Sequence, residues 1–582
     1  MRLNGVGAAP GFAVGPAWRH RQDTGGTPVP DIRAAADAAY DELEALAARI
    51  RAAGREEEAA IFDAQAMMAL DPMLVDGAVA RAAETGATDP DELAAAVEAS
   101  ARAAAEMLAA LPDELLAARA ADVRDVGGRI ARIVAGRRLV LPDGPSIAIA
   151  EDLPPSVTAE LPPGSLLGIA LEQGSATSHA AILARSLGIP AVVGVRGLLD
   201  AVSPSNDGGG DGGKAAAVNL ALDGGGAVYV EPTAEELAGL EIGRREADAA
   251  AERARVLRGQ PGRTADGVPV MLAANIGRPE DADRAIEAGA EGVGLFRTEF
   301  VFIGRSDAPS EDEQVDAYTR VFAAFGPGRP VVVRLADIGG DKPIPYLHLA
   351  PEANPFLGVR GLRLAWADRA LYVRQLRALA RAGAAAGVIP HVMAPMVSTI
   401  EDVELLHDLV ATACAELDAE QLARAPWLEA GIMIEVPSAA LMAPELARRV
   451  AFFSVGSNDL TQYTLAMDRT NPELATVADA LHPAVLRAIR ATVDGADAAG
   501  IPVAVCGELA GDPAGALVLA GLGVRELSMD AGSIDAVRFA LAGRTSAEIR
   551  DLAGRALAAE TAPEVRRLAA EALSAALAAH GD

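Results

Sequence analysis

The sequence predicts a multidomain α and α/β protein, with a helical bundle inserted in a small α/β domain and a (β/α)8 barrel after it. Three observations carry this. The chain is 582 residues long, more than a single hydrophobic core usually serves. Residues 31–136 space their apolar side chains as amphipathic helices do, with β-like runs on either side. From residue 262 onward, strand-like and helical runs alternate through about eight units, the arithmetic of a barrel with insertions.

Taken in order, residues 3–18 read as a strand, a tight Ala-Pro-Gly turn and a second strand. Helical periodicity begins after Pro30. Two helices open with Asp71-Pro72 and Asp89-Pro90, where aspartate caps and proline fits the first turn. Their exposed faces carry Glu56, Glu57, Glu58, Asp89, Asp91 and Glu92. RLVLP, SIAIAED, SLLGIAL, IPAVVGV, AAAVNLAL and AVYVEP then read as short strands, with the helix SHAAILARSLG among them. The Gly-rich stretch 203–214 lacks the strand-to-helix setting of a phosphate loop and reads as a surface insertion. A charged helix over 233–259 reads as a connector. The barrel strands are read as VPVMLAANI, GVGLFRTEF, PVVVRLADI, FLGVRGL, VMAPMV, GIMIEV, FFSVGSND and VAVCGE. A doubly wound sheet is the competing architecture, and the unit count favours the barrel. The expected domains are 1–30 with 137–232, 31–136, a linker over 233–261, and 262–582.

Net charge is −30, from 51 Lys and Arg against 81 Asp and Glu. So acidic a chain is a poor nucleic-acid binder, because phosphate neutralisation needs basic side chains. A basic partner suits it better, although acidity also serves solubility alone. No apolar run approaches the roughly 20 residues of a membrane helix. The N-terminus lacks the basic head and long apolar stretch of a signal peptide. A cytoplasmic protein without membrane insertion is expected. Two cysteines, Cys414 and Cys506, argue against a disulfide scaffold.

Charged residues gather where the barrel strands end. Arg297 follows GVGLF, Arg334 sits in VVVRLADIGGDK, Arg360 follows FLGV and Glu435 ends GIMIE. Asn458 and Asp459 end FFSVGSND, and Cys506 ends VAVC. Catalysis in such barrels lives at the C-terminal strand ends. Glu435 and Asp459 are hard oxygen donors that suit Mg2+ or Mn2+. Arginine forks suit phosphate and carboxylate. The set therefore fits a small phosphorylated carboxylic acid held on a divalent metal. Structural ion pairing is the competing reading for any one of these charges. Cys506 reads either as a proton donor to a carbanion or enolate, or as a buried small hydrophobe. Cys414, in ATACAEL, reads as packing.

Of seven histidines, His20, His348, His391, His407, His482 and His580 have no distinctive setting. His179 stands where a Gly/Ser/Thr loop turns into a helix. A helix N-terminus favours negative charge and offers N–H groups to phosphate. An imidazole there can act as a nucleophile, flanked by the Thr177 and Ser178 hydroxyls. A capping cluster with an incidental histidine is the alternative.

TSHAAILARSLGIPAVVG (177–194) resembles the phosphohistidine loop of phosphoenolpyruvate-utilising enzymes. GLFRTEF (294–300), RLADIGGDK (334–342), NPFLGVRGLR (354–363), GIMIEVPSAA (431–440), FFSVGSNDLTQYTLAMDR (452–469) and CGELAGD (506–512) resemble the barrel of the same group. Their order and spacing are similar to the enzyme I family of the bacterial sugar phosphotransferase system, over nearly the whole chain. The resemblance implies that His179 is phosphorylated from phosphoenolpyruvate and passes the group to a histidine of the phosphocarrier protein HPr, releasing pyruvate. This would be the first step of sugar uptake. It implies that Glu435 and Asp459 bind Mg2+. Arg297, Arg334, Asn458, Asp459 and Arg469 would hold phosphoenolpyruvate, with Arg360 nearby, and Cys506 would protonate the enolate. The helical block would dock HPr, and the barrel would form a homodimer. One histidine then has to meet two partners, which implies a swivel about the connector near 233–262.

The chain departs from the family pattern at Ser175, Ala180, Leu335 and Leu509, none of which carries an assigned role. Two alternatives remain. An ATP-dependent dikinase or phosphoenolpyruvate synthase shares the loop and barrel but needs an ATP-grasp region, for which the first 136 residues leave no room. A non-catalytic regulatory binding protein would not need the intact charged set. With no sensory domain before residue 1 and no carrier domain at the end, the general sugar-system enzyme is the expected member.

Overall fold

A computed structural model describes the chain except at residues 10, 20, 21, 24, 53–55, 110–113, 143, 154–156, 158–160, 163, 175–183, 185–187, 203–217, 303, 304, 306, 340–343, 348, 349, 351, 470, 472, 473, 475, 476 and 580–582. His179, with Thr177, Ser178 and Ala180, lies outside the described residues. So do the Gly-rich stretch, the end of RLADIGGDK, His20, His348, His580 and the side chains of Glu56, Glu57 and Glu58. The chain divides into two units, Met1–Glu246 and Ala247–Asp582.

The first unit contains an eight-stranded mixed sheet. Its strands are β1 (Arg2–Asn4), β2 (Val6–Ala9), β3 (Phe12–Arg19), β6 (Ser146–Ala150), β7 (Leu166–Leu171), β8 (Ala191–Val193), β9 (Asn219–Asp223) and β10 (Ala227–Val230). They lie in the order β1-β10-β9-β3-β6-β7-β8-β2. A separate pair joins β4 (Gln22–Asp23) to β5 (Arg138–Leu139). The central strands are apolar on both faces, as buried parallel strands are. Along β6, Ile147 and Ile149 enter one core while Ala148 and Ala150 enter another.

Five helices lie between β4 and β5: α1 (Ile32–Ala52), α2 (Glu56–Ala69), α3 (Pro72–Thr85), α4 (Pro90–Ala109) and α5 (Glu114–Val134). Asp71 caps α3, its carboxylate accepting the Met73 N–H at 2.8 Å, with Pro72 in the first turn. Gly86, at φ 67°, ends that helix. Alanine lets these helices come close. A Cβ on Gly127 of α5 would meet the Cβ of Ala101 on α4 at 2.2 Å, so only glycine fits the crossing. The division between units falls within the helix Ala234–Val256. No described helix is long and apolar enough to cross a membrane.

The second unit holds a closed parallel barrel, as the unit count predicts. Its strands are β11 (Met271–Ile276), β12 (Val293–Arg297), β13 (Val331–Arg334), β14 (His391–Ala394), β15 (Glu429–Ile434), β16 (Phe453–Val455), β17 (Val503–Val505) and β18 (Glu526–Met529). Outward residues such as Leu272, Val333, Ile432 and Leu527 pack with the surrounding helices in one large core.

One strand assignment is corrected. FLGVRGL is not a strand; it forms 3-10 turns over Pro355–Leu357 and Gly361–Trp366. Gly361 takes φ 56°, which breaks an extended run. A short apolar segment cannot be told from a buried turn by pattern alone. The eighth strand is ELSM, β18, which the sequence hides. Glu526 and Ser528 alternate with the apolar Leu527 and Met529, in a sheet where continuous apolar runs are the usual signal.

Candidate active site

The barrel brings the predicted polar residues to one face. Arg297 ends β12 and is exposed, and Arg334 ends β13. Glu435 follows β15, while Asn458 and Asp459 open the helix Ser457–Leu465 after β16. Cys506 follows β17. In a parallel barrel these C-terminal ends share one mouth. Arg360, read from sequence as a strand end, instead reaches the mouth from the loop between two 3-10 turns.

There the charges form an alternating chain. Arg334 Nη2 donates to Glu299 Oε1 at 2.9 Å, and the Asp337 N–H donates to the same oxygen at 2.8 Å. Arg334 Nη1 lies 3.4 Å from Asp337 Oδ2. That oxygen also accepts Arg360 Nη2 at 2.7 Å. Arg360 Nη1 stands 3.6 Å from Asp459 Oδ1, and Arg469 Nη1 donates to Asp459 Oδ2 at 3.1 Å. The guanidiniums of Arg360 and Arg469 both lie over the Phe356 ring, 5.8 and 5.9 Å from its centre. Arg360 is fully buried and Asp337 nearly so. Burial works against the charge of Arg334, but Glu299, Asp337 and Glu435 more than reverse this and hold it above its ordinary value.

Glu435 is completely buried. Its Oε1 accepts the Met396 N–H at 2.6 Å, while Oε2 has no hydrogen-bond partner among the described residues. Met396 takes φ 60°, unusual for a side chain of its size, and this conformation accompanies the N–H that meets the carboxylate. Burial first, then the charges of Asp459 and Asp337, push the Glu435 carboxyl up to about 7 against the pull of Arg334 and Arg360. Asp459 Oδ1 also accepts no hydrogen bond among the described residues. A Cβ on Gly456 would come within 2.9 Å of Glu435 Oε2, so glycine keeps that oxygen clear. Two buried carboxylate oxygens that accept no hydrogen bond among the described residues fit a hard divalent cation, which takes oxygen ligands. Among the described residues, no group of three His, Cys, Asp or Glu forms a self-sufficient metal cage.

Cys506 is 2% exposed. Its thiol faces Val455 O at 3.6 Å. Burial pushes it up to about 11; the Ser454 hydroxyl and then Arg334 pull the other way. It is therefore a thiol at neutral pH, beside an arginine-rich mouth. Asn458 Oδ1 accepts the Glu508 N–H at 3.0 Å.

Sequence reasoning missed the residues that hold the arginines. Glu299 and Asp337 lie inside the motifs FRTEF and RLADIGG, and the need of a buried Arg334 for carboxylates was the available signal. Gln375 lies behind them on the helix Arg369–Ala386. Its Nε2 donates to Thr298 Oγ1 at 2.9 Å and its Oε1 accepts the Ala336 N–H at 3.0 Å. Thr298 Oγ1 donates to Arg334 O at 2.8 Å. No sequence periodicity marks such a residue.

Residues 251–546 match the PEP-binding domain of PEP-utilising enzymes, residues 142–210 their mobile domain, and residues 4–119 their N-terminal domain. The phosphoenolpyruvate-protein phosphotransferase of Haloferax volcanii is 42% identical, over 95% of this chain and 96% of that protein. The chain belongs to the phosphoenolpyruvate-protein phosphotransferase family. It is also similar to longer proteins. The multiphosphoryl transfer protein of Rhodobacter capsulatus is 43% identical over 95% of this chain, which spans 65% of that protein's length. The one from Xanthomonas campestris pv. campestris is 47% identical over 75% of this chain and 50% of its own length.

Proposed function

We propose that the chain transfers the phosphoryl group of phosphoenolpyruvate to His179 and then to a histidine of HPr, releasing pyruvate, as the first step of sugar uptake. The observation that carries this is the alternation Glu299, Arg334, Asp337, Arg360, Asp459 and Arg469, buried except at Arg469, with one oxygen each of Glu435 and Asp459 accepting no hydrogen bond among the described residues. Arginines fixed before substrate arrives pay no reorganisation when charge moves. In this reading Arg297, Arg334, Asn458 and Arg469 hold the substrate's phosphate and carboxylate, with Arg360 bracing Asp459. Glu435 and Asp459 hold Mg2+, or Mn2+, which would neutralise charge on the phosphoryl oxygens. The imidazole of His179 attacks phosphorus in line, and Cys506 protonates the enolate carbon. HPr docking on the helical block, a homodimer through the barrel, and a cytoplasmic location complete the proposal.

The test is exchange. With Mg2+ and no ATP, the protein should exchange carbon label between pyruvate and phosphoenolpyruvate. Absence of exchange would refute the reading and favour a non-catalytic binding protein, and exchange only with ATP would refute it in favour of a dikinase.

A further inference from the structure

Cys506 is sealed among Leu295, Val332, Met393, Met433 and Phe452 inside the barrel. A thiol that gives up its proton there has to regain one every turnover. The Ser454 hydroxyl acts on that thiol against burial, and its Oγ, on a side chain 1% exposed, has no hydrogen-bond partner among the described residues. Ser454 also lines a cavity of about 160 Å3, together with Val332, His391, Glu429, Ala504 and Glu526. His391, Glu429 and Glu526 are the first residues of β14, β15 and β18. The cavity therefore lies at the N-terminal end of the strands, opposite the arginine mouth. Glu526 Oε1 is buried with no hydrogen-bond partner among the described residues. Gly294 faces it; a Cβ there would come within 2.7 Å of that oxygen. A buried carboxylate oxygen without a donor is costly and calls for an explanation. At roughly 30 Å3 of liquid volume per molecule, the cavity has room for several waters, and within a mostly apolar lining Ser454, His391, Glu429 and Glu526 are the side chains that can bond them.

We infer that this cavity supplies protons to Cys506, with Ser454 as the bridge and Glu526 as the exchanging acid. The inference rests on the reading that Cys506 protonates the enolate. In the step itself, the electron pair of the enolate double bond takes the proton from Sγ, and the S–H electrons stay on sulfur as thiolate. The thiolate takes the Ser454 hydroxyl proton. Ser454 Oγ takes one from a cavity water, which is restored from the Glu526 carboxyl. Glu526 regains its proton from bulk water at the half-buried strand starts. The net change moves one solvent proton to the methyl carbon of pyruvate.

The titratable setting suits this. Burial, and then the charge of Glu291, push Glu526 up to about 7, so it can give and take a proton near neutrality. Burial pushes His391 down despite Glu429, so its ring is neutral. Glu429 is held by the Trp427 indole N–H at 2.8 Å. His391 has no distinctive setting along the chain, because the cavity is assembled from strand starts far apart in sequence.

The experiment follows two labels in the whole protein with Mg2+, phosphoenolpyruvate and pyruvate in D2O. One is carbon exchange between the two; the other is deuterium uptake into the pyruvate methyl group. When thiol protons exchange with solvent, the two keep pace. Glu526→Gln and Ser454→Ala should each lower the ratio of deuterium uptake to carbon exchange at least tenfold, because Cys506 then returns the same proton. Ser454→Thr should restore the ratio. An unchanged ratio in either Glu526→Gln or Ser454→Ala overturns the inference. Absent carbon exchange in the unmutated protein would instead overturn the proposed function.

Discussion

In the first unit, ion pairs such as Arg33–Asp76 and Arg51–Asp63 lie at the surface, with both side chains at least 41% exposed. At the barrel mouth, Arg360–Asp337 and Arg334–Glu299 are shut away, with no side chain more than 9% exposed. An exposed pair contributes about 0–1 kcal/mol and is screened by salt. A buried pair is no better for stability than apolar residues of the same size, yet removing one partner costs about 3–5 kcal/mol. Several buried charges in series are therefore poorly explained as scaffolding. They make sense as a site whose remaining valences belong to an anion and a cation.

Substitutions should separate the two regions. Arg334→Ala has the largest expected effect: about 3–5 kcal/mol of stability lost, and exchange activity reduced roughly 10²- to 10³-fold, measured by denaturant melts and label exchange. Arg334→Lys should recover the fold better than the activity, since lysine lacks the fork.

Glu435→Gln comes next. Divalent metal affinity, read by calorimetry, should fall sharply. In the unmutated protein it should rise roughly tenfold per pH unit up to about 7, because a proton competes for the carboxylate. The same carboxyl predicts a stability trend. Its folded pKa lies above the ordinary range, so its contribution is fully present in acid and is lost as pH rises to about 7. Melts without metal should show that loss, Mg2+ should offset it, and Glu435→Gln should remove it.

In the first unit the effects should be small. Asp71→Ala removes the α3 cap and should cost about 0.5–2 kcal/mol. Arg33→Ala should cost about 1 kcal/mol or less. If Arg33→Ala proved as damaging as Arg334→Ala, the contrast between the regions would be wrong.

The same contrast explains what the sequence makes legible. Apolar strands that end in Arg297, Arg334, Glu435 and Asp459 reveal the mouth, because charge at the end of a buried strand is rare enough to notice. The partners that make the burial tolerable were missed: Glu299 and Asp337 sit within motifs whose arginines draw attention, and Gln375 arrives from a helix. The φ of Met396 has no one-residue signal, since it follows from where Glu435 sits. β18 was hidden by its polar residues Glu526 and Ser528, the first of which lines the lower cavity. In the first unit the reverse holds. Its alanine periodicity and Asp-Pro starts announce the helices, while His179 lies outside the described residues and is known only by its motif.

Phosphorylation of His179 is therefore the point to measure. The protein should be incubated with phosphoenolpyruvate labelled in its phosphoryl group and with Mg2+, without ATP, and then digested under alkaline conditions. Acid-labile label should appear on the peptide containing His179 and be absent from His179→Ala. Label that persists in His179→Ala, or that appears only when ATP is added, would contradict a phosphoryl relay through this histidine.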